Sequence, residues 1–489
     1  MKRREFIEGA LLGASAMATP VGIATAFAGD LNIRAKYARQ LSGQVVFPSS
    51  SDYASARAEF NTALQRFPLA IVFAANTEDV ANAICFARDH RLPIRLRSGR
   101  HSYEALSAAD GSIVIDVSQM KGLDLDPNTG IATVQTGVRD FELAQALWGM
   151  GRMLPGGLCF TTGIAGFTQG GGQTSAPRTF GLIIDSLVSA EMVNANGDVI
   201  YADMNQNPDL FWALRGAGGG NFGACTTFRF QTYPVEPNVA YAQLSWPISS
   251  LKPVFRNWQQ LTAPGFDTRL NPFLLVLNDG KSQNVQVNVI FFGAAAELRQ
   301  LLDPLLRAAR PQQVDIFDTD WITAVETIGA TQPNAPVNFK SAAPFVQELP
   351  DAAIDVIQHF VMAPAAAGVQ VSAFFHGLNG EVAQVAPRDT AYFWRDAWSN
   401  LSFWAQWTTG ASAYAARAWV EGLRRAVYPY TSGTYVNAPD LTLENWQELY
   451  WGKNFLRLTE VKSKYDPGNL FNFPQSIPLV ESRPRKFGQ

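Results

Sequence analysis

Arg97-Ser98-Gly99-Arg100-His101-Ser102-Tyr103-Glu104 follows directly on the alternating run Ile94-Arg95-Leu96. The run has the period of a strand. The glycine and small polar residues after it end that strand in a loop whose backbone can approach a ligand closely. Two more clusters repeat the theme. Pro155-Gly156-Gly157-Leu158-Cys159 continues into Gly163-Ile164-Ala165-Gly166 and Gly170-Gly171-Gly172, and Arg215-Gly216-Ala217-Gly218-Gly219-Gly220-Asn221-Phe222-Gly223 is the third. Glycine lets consecutive amides turn inward as a nest of N–H donors, which suits a pyrophosphate. Any one cluster also reads as an ordinary turn; three together point to a phosphate-bearing ligand.

Gly218-x-Gly220-x-x-Gly223 matches the dinucleotide fingerprint letter for letter, but in the wrong place. That fingerprint follows a strand and opens a helix. Here 207–214 has a helix pattern before it and 226–230 a strand pattern after it, so a Rossmann unit is excluded.

Outward from the first loop, strands are expected over 69–74, 94–97, 112–117 and 131–135. A helix capped by Thr77 should stop before Pro93, and another should cover 141–148. Asn196-Gly197 predicts a hairpin within 190–202. From about 240 to 435 the pattern changes to longer amphipathic helices (298–309, 352–361) and strands (285–292, 369–375), an antiparallel sheet carrying helices. A last helix is expected over 446–461.

The chain has 489 residues, 47% hydrophobic and 17% charged, so it can bury a large core and is not dominantly disordered. A net charge of -3 argues against a general nucleic-acid binder. Three cysteines exclude a cystine scaffold, and no HExxH or paired CxxC predicts a metal site. Residues 1–28 read as a signal peptide: Lys2-Arg3-Arg4-Glu5-Phe6 opens it, an Ala/Gly-rich stretch follows, and Ala26-Phe27-Ala28 ends it. The paired arginines predict twin-arginine export to the periplasm or beyond. No later run of about 18 apolar residues predicts a membrane span.

The first loop resembles the pyrophosphate loop of the berberine bridge enzyme-like flavoproteins, in the vanillyl-alcohol oxidase (PCMH) superfamily. Cys159 with Gly163, Gly166, Gly170, Gly171 and Gly172 resembles their second flavin loop, and Gly220-Asn221-Phe222-Gly223 a third element. Trp451-Gly452-Lys453-Asn454 and Tyr465-Asp466-Pro467-x-Asn469-x-Phe471-x-x-x-Gln475-Ser476-Ile477 resemble the C-terminal signature. The match runs in the expected order over about residues 60–480.

The resemblance implies an α+β fold: a PCMH-type FAD-binding domain of two subdomains (29–238), a substrate domain with an antiparallel sheet flanked by helices (239–435), and a berberine-like segment returning to the flavin (436–489). It implies FAD held covalently by His101 at the 8α-methyl and Cys159 at C6. Arg97, Ser98, Gly99, Arg100, Ser102 and Asn472 join the glycines as implied cofactor contacts. Both side chains are nucleophiles suited to electrophilic flavin positions; without the motif they would read as a turn histidine and a small buried thiol. Cys85 and Cys225 read as packing.

At the chemistry the pattern departs. Many family members carry Tyr-x-Asn-Tyr or Tyr-x-Asn-His, whose last residue works near flavin N5; here the segment is Tyr435-Val436-Asn437-Ala438. Alanine accepts no proton, so Tyr103, Tyr435 and His376 are the candidate bases, although strand alternation would turn Tyr435 away from the side Ala438 faces. Water is the other acceptor. Trp394, Trp398, Trp404 and Trp407 either stack a sugar or fill the core. The expected function is hydride removal from an alcohol carbon of a carbohydrate or other bulky substrate, with oxygen or another acceptor reoxidising the flavin. Thr162 stands where the family's oxygen-gating residue is expected. The alternatives are a secondary-metabolite tailoring enzyme, a dehydrogenase and a non-catalytic flavin-binding protein.

Overall fold

The computed structural model describes residues 41–363 and 366–480. The signal-peptide expectation, with Arg3 and Arg4, lies outside them. The first four strands are β1 (Gln44–Val46), β2 (Ala70–Phe73), β3 (Ile94–Arg97) and β4 (Ile113–Asp116). They form one sheet in the order β1-β2-β4-β3, in which β2 and β3 both run parallel to β4. The helix Thr77–Asp89 makes the crossover between β2 and β3, as parallel pairing requires. Its N-cap is Asn76, whose side chain accepts the Asp79 amide at 2.9 Å, one residue earlier than expected.

Next come β5 (Leu123–Asp126), β6 (Ile131–Gln135), β7 (Arg152–Met153), β8 (Leu187–Val193), β9 (Val199–Ala202), β10 (Ala224–Gln231) and β11 (Tyr233–Pro234). Five of these make an antiparallel sheet, β5-β6-β10-β8-β9, and β7 pairs with β11. β8 and β9 are the expected hairpin, turned at Gly197 with φ 88°.

The remaining strands are β12 (Val239–Pro247), β13 (Leu270–Asn278), β14 (Gln283–Phe291), β15 (Gln313–Thr319), β16 (Asn338–Ala342), β17 (Pro344–Val346), β18 (Val369–Gly377), β19 (Ser399–Trp407) and β20 (Thr431–Thr434). Together they make one antiparallel sheet, ordered β15-β12-β14-β13-β18-β19-β17-β20 with β16 also on β19. Alternation gives this sheet two different faces. Val371, Ala373, Phe375, Leu401, Phe403, Ala405 and Trp407 pack beneath the helices Leu251–Gln260, Asp351–Met362 and Ala413–Val427. The intervening residues face the other way and close a cavity against the glycine loops.

Two expected helices are broken. The 298–309 pattern is two helices, Ala295–Leu301 and Asp303–Ala308, because Pro304 lacks the amide and its ring would meet the carbonyl four residues back. The 446–461 pattern stops at Trp451. There Gly452 takes φ 49°, and its Cα approaches Phe393 so closely that a Cβ would lie 2.3 Å from the ring. The chain turns and resumes as Phe455–Tyr465.

The tail after β20 returns to the first two sheets. Lys462, fully buried, donates to Asp466 (2.6 Å), to the Asn221 carbonyl (2.7 Å) and to the Phe471 carbonyl (2.7 Å). Ile477 N donates to Asn221 Oδ1 at 2.9 Å. The C-terminal signature thus ties the third glycine loop in place. Among the described residues no helix is long and apolar enough to cross a membrane.

Candidate flavin and substrate cavity

The loop after β3 and the loop before the helix Ile164–Gln169 meet backbone to backbone. A Cβ on Gly99 would lie 2.1 Å from Gly163 N, and one on Gly163 would lie 2.2 Å from Ser98 Oγ. Only glycine permits that approach. Gly218 and Gly220 take φ 91° and 80° in the third loop and face the same space. The result is a cavity of about 360 Å³ running from Arg95, Phe471 and Phe473 to Phe374, His376 and Trp404.

FAD fits what lines it. No Asp or Glu side chain is in the wall, three glycine loops present backbone along it, and Gly166 has nothing within 4 Å of a built Cβ. Arg95 Nε and Ser341 Oγ are buried in this wall without a hydrogen-bond partner. An unpaired buried donor costs about 1–3 kcal/mol, which a bound polar ligand would recover.

His101 stacks on Phe60 with ring centroids 4.1 Å apart, and its Nε2 lies 2.9 Å from Thr161 Oγ1. Nδ1 has no hydrogen-bond partner among the described residues. Burial, with Arg139 adding to it, pushes the ring's pKa down to about 4, so the imidazole is neutral at neutral pH. Cys159 carries a free thiol in the same wall. Burial pushes it up to about 12, and the nearby Asp140 carboxyl adds to the rise. Asp140 was not legible in the sequence, where it reads as an ordinary acid opening a helix. It is buried against the Gly156-Gly157 turn, where a Cβ on Gly156 would fall 2.1 Å from its Oδ1. Burial lifts its pKa to about 7, against the Gly157 amide.

The other expected cofactor contacts divide. Ser98, Arg100, Ser102, Gly220 and Asn221 line the cavity. Arg97 lines it too, but its guanidinium is fully buried on Asp116 (2.7 Å) and Glu59 (3.2 Å), leaving its backbone for a ligand. Gly170, Gly171, Phe222, Gly223 and Asn472 lie behind the wall. Gly170 backs onto Asn437 and Gly171 onto Tyr392, while the Asn472 carbonyl accepts from Arg95 at 2.8 Å.

Tyr103, His376 and Tyr435 all reach the cavity. The expectation that Tyr435 would face away is corrected. β20 ends at Thr434, and Ala438 N donates to the Tyr435 carbonyl at 3.0 Å, so the segment is a turn that puts both residues in the wall. The tryptophan stretch also divides. Trp404 is in the wall, whereas Trp407 lies in the core under the helices and Trp394 packs on Phe345. Phe339, Phe374, Ser341 and Ser402 complete the substrate end, and the strand alternation on β16, β18 and β19 was the signal for them.

The family model for an FAD binding domain matches residues 68–203, and that for berberine and berberine-like proteins matches 434–478. The FAD-linked oxidoreductase YvdP of Bacillus subtilis is 38% identical over 447 residues, 90% of this chain and 98% of that protein. The chitooligosaccharide oxidase of Gibberella zeae is 30% identical over 457 residues, 86% of this chain and 89% of that one. A structure of the Acremonium strictum glucooligosaccharide oxidase, an enzyme with a 6-S-cysteinyl, 8α-N1-histidyl FAD, superposes with a TM-score of 0.83 at 25% identity, covering 92% of this chain and 99% of that one. With its glycine-lined cavity and returning tail, the chain belongs to the berberine bridge enzyme-like FAD-linked oxidoreductases of the vanillyl-alcohol oxidase (PCMH) superfamily.

Proposed function

We propose that this oxidoreductase takes a hydride from an alcohol carbon of a neutral carbohydrate or similarly bulky alcohol and passes the electrons to oxygen. The observation behind this reading is the wall at the substrate end. Phe339, Phe374 and Trp404 supply aromatic rings to it, and the polar groups among them are Ser341, Ser402, Gln332 and His376, with no formal charge. Aromatic faces stack on sugar rings, and hydroxyls orient them. Oligosaccharide oxidases among the relatives support the same substrate class. Bound FAD would supply the two-electron acceptor.

In this reading His101 and Cys159 are the attachment points. The neutral imidazole offers Nδ1, and the thiol must first lose its proton. The fold also supports three functional units, since the last strand of the first sheets ends at Pro234, the large sheet spans β12 to β20, and the tail follows. Export by the twin-arginine route, to the periplasm or beyond, completes the proposal.

The apolar character of the same wall favours a second reading, oxidation of a ring-bearing secondary metabolite. Anaerobic mixing with cello- and xylo-oligosaccharides and with aryl alcohols, followed by oxygen, separates the two. Reduction by the sugars supports the first reading, and reduction by aryl alcohols alone overturns it in favour of the second. Slow reoxidation would reassign the enzyme as a dehydrogenase.

A further inference from the structure

We propose that Tyr435 is the base that takes the substrate's hydroxyl proton, in place of the side chain that Ala438 lacks. The inference rests on the alcohol-oxidation reading above. Its ground is the hydrogen bonding around one oxygen. Tyr435 Oη accepts from the Gly172 amide (3.1 Å), the Gln173 amide (3.2 Å) and Asn437 Nδ2 (3.0 Å). Gly171 and Gly172, at φ 114° and 67°, turn the chain so that two successive amides converge there. A phenol oxygen has two lone pairs and a proton of its own to direct. Three converging N–H groups exceed what the phenol can use and match a phenolate. The Tyr435 hydroxyl has no protein acceptor among the described residues, and Tyr435 lines the cavity.

The other candidates are held differently. His376 Nε2 lies 2.8 Å from the Thr174 carbonyl, to which it must donate, and burial keeps the ring neutral by pushing its pKa down to about 4. The Tyr103 hydroxyl has no donor directed at it among the described residues, and burial pushes it far up. Burial lifts Tyr435 as well, to about 12, but the three donors oppose that rise. The titratable groups facing Tyr435 are Tyr392, with ring centroids 6.3 Å apart, Asp140 and Tyr103.

In the step, the substrate O–H breaks as the Tyr435 Oη–H forms, and Asn437 Nδ2 gives up its bond to Oη while keeping the one to the Phe167 carbonyl at 2.9 Å. The carbon's C–H breaks with both electrons leaving as hydride to FAD, and C=O forms. The alcohol is oxidised by two electrons and the flavin is reduced by two. The proton then follows those electrons to dioxygen, which leaves as hydrogen peroxide, and the phenolate is restored.

The test uses FAD-loaded enzyme carrying tyrosine labelled with ¹³C at Cζ. The resonance missing from Tyr435→Phe should ionise at lower pH than those missing from Tyr103→Phe and Tyr392→Phe. Asn437→Ala should move it upward. With cellobiose, xylobiose and benzyl alcohol as probes, Tyr435→Phe should slow anaerobic flavin reduction by about 10²–10⁴-fold and remove its alkaline rise. Ionisation of Tyr435 no earlier than Tyr103, or reduction of Tyr435→Phe at the wild-type rate, overturns the proposal. If Tyr435→Phe fails to load flavin, the shift in Asn437→Ala decides instead. If no probe reduces the wild type, the alcohol reading fails, while the titration still decides whether Tyr435 is held as a base.

Discussion

His101, Cys159 and His376 show how burial decides what a side chain can do. Burial keeps the His101 imidazole neutral and the Cys159 thiol protonated, so one is ready to attack and the other needs a proton acceptor. If both hold the flavin, acid-precipitated protein should stay yellow. His101→Ala and Cys159→Ala singly should keep the colour in the pellet, and the double variant should lose all of it to the supernatant, as absorbance of the two fractions would show. His376 gives a pH prediction. Unfolded, it takes a proton near its ordinary value of about 6.5; folded, only at about 4. Protons therefore favour the unfolded state within that window, and stability rises with pH through it. Between about pH 5 and pH 7 the difference is about 2 kcal/mol. Denaturant melts of wild type and His376→Leu should differ in their pH dependence by that amount, with His376→Leu the flatter.

Elements meet at the cavity through contacts that tolerate little. The Gly99–Gly163 approach joins two loops, so Gly163→Ala should push them apart, costing about 1–3 kcal/mol and most of the FAD loading. Gly166→Ala has room for its methyl and should fold normally. Denaturant melts, in which only Gly163→Ala should lose stability, distinguish the two. A second junction joins the first flavin loop, the substrate sheet and the tail: Lys340 donates to Glu104 (2.5 Å) and Asp440 (2.8 Å), nearly buried. Lys340→Met leaves Glu104 without its cation and Asp440 with Arg424 alone, at 3.3 Å, and should cost about 3–5 kcal/mol in chemical denaturation. A loss below about 1 kcal/mol, the scale of a surface pair, would show the junction to be solvated.

For the whole molecule, the export prediction is tested by replacing Arg3 and Arg4 with lysine, which should trap precursor in the cytoplasm; mature protein outside would point to the general route. The sequence by itself determined the family, because close backbone approach to a ligand requires glycine, and three glycine loops in order leave a literal trace. It determined most strands and helices too, since their apolar periods are local, and it exposed the missing side chain at Ala438. Only the tertiary structure decided which neighbours share the cavity. Trp404 and Trp407 look alike in the chain, yet strand alternation sends one to the cavity wall and the other under the helices. Arg97 reads as a phosphate ligand until Asp116 and Glu59 take its guanidinium. Asp140 becomes an unusual carboxyl only when the Gly156-Gly157 turn folds over it. Tyr435 turns inward because β20 ends one residue before it, and its three donors come from a loop more than 250 residues away and a side chain two residues on. Burial and convergence of groups distant in sequence are properties of packing, and no local pattern encodes them.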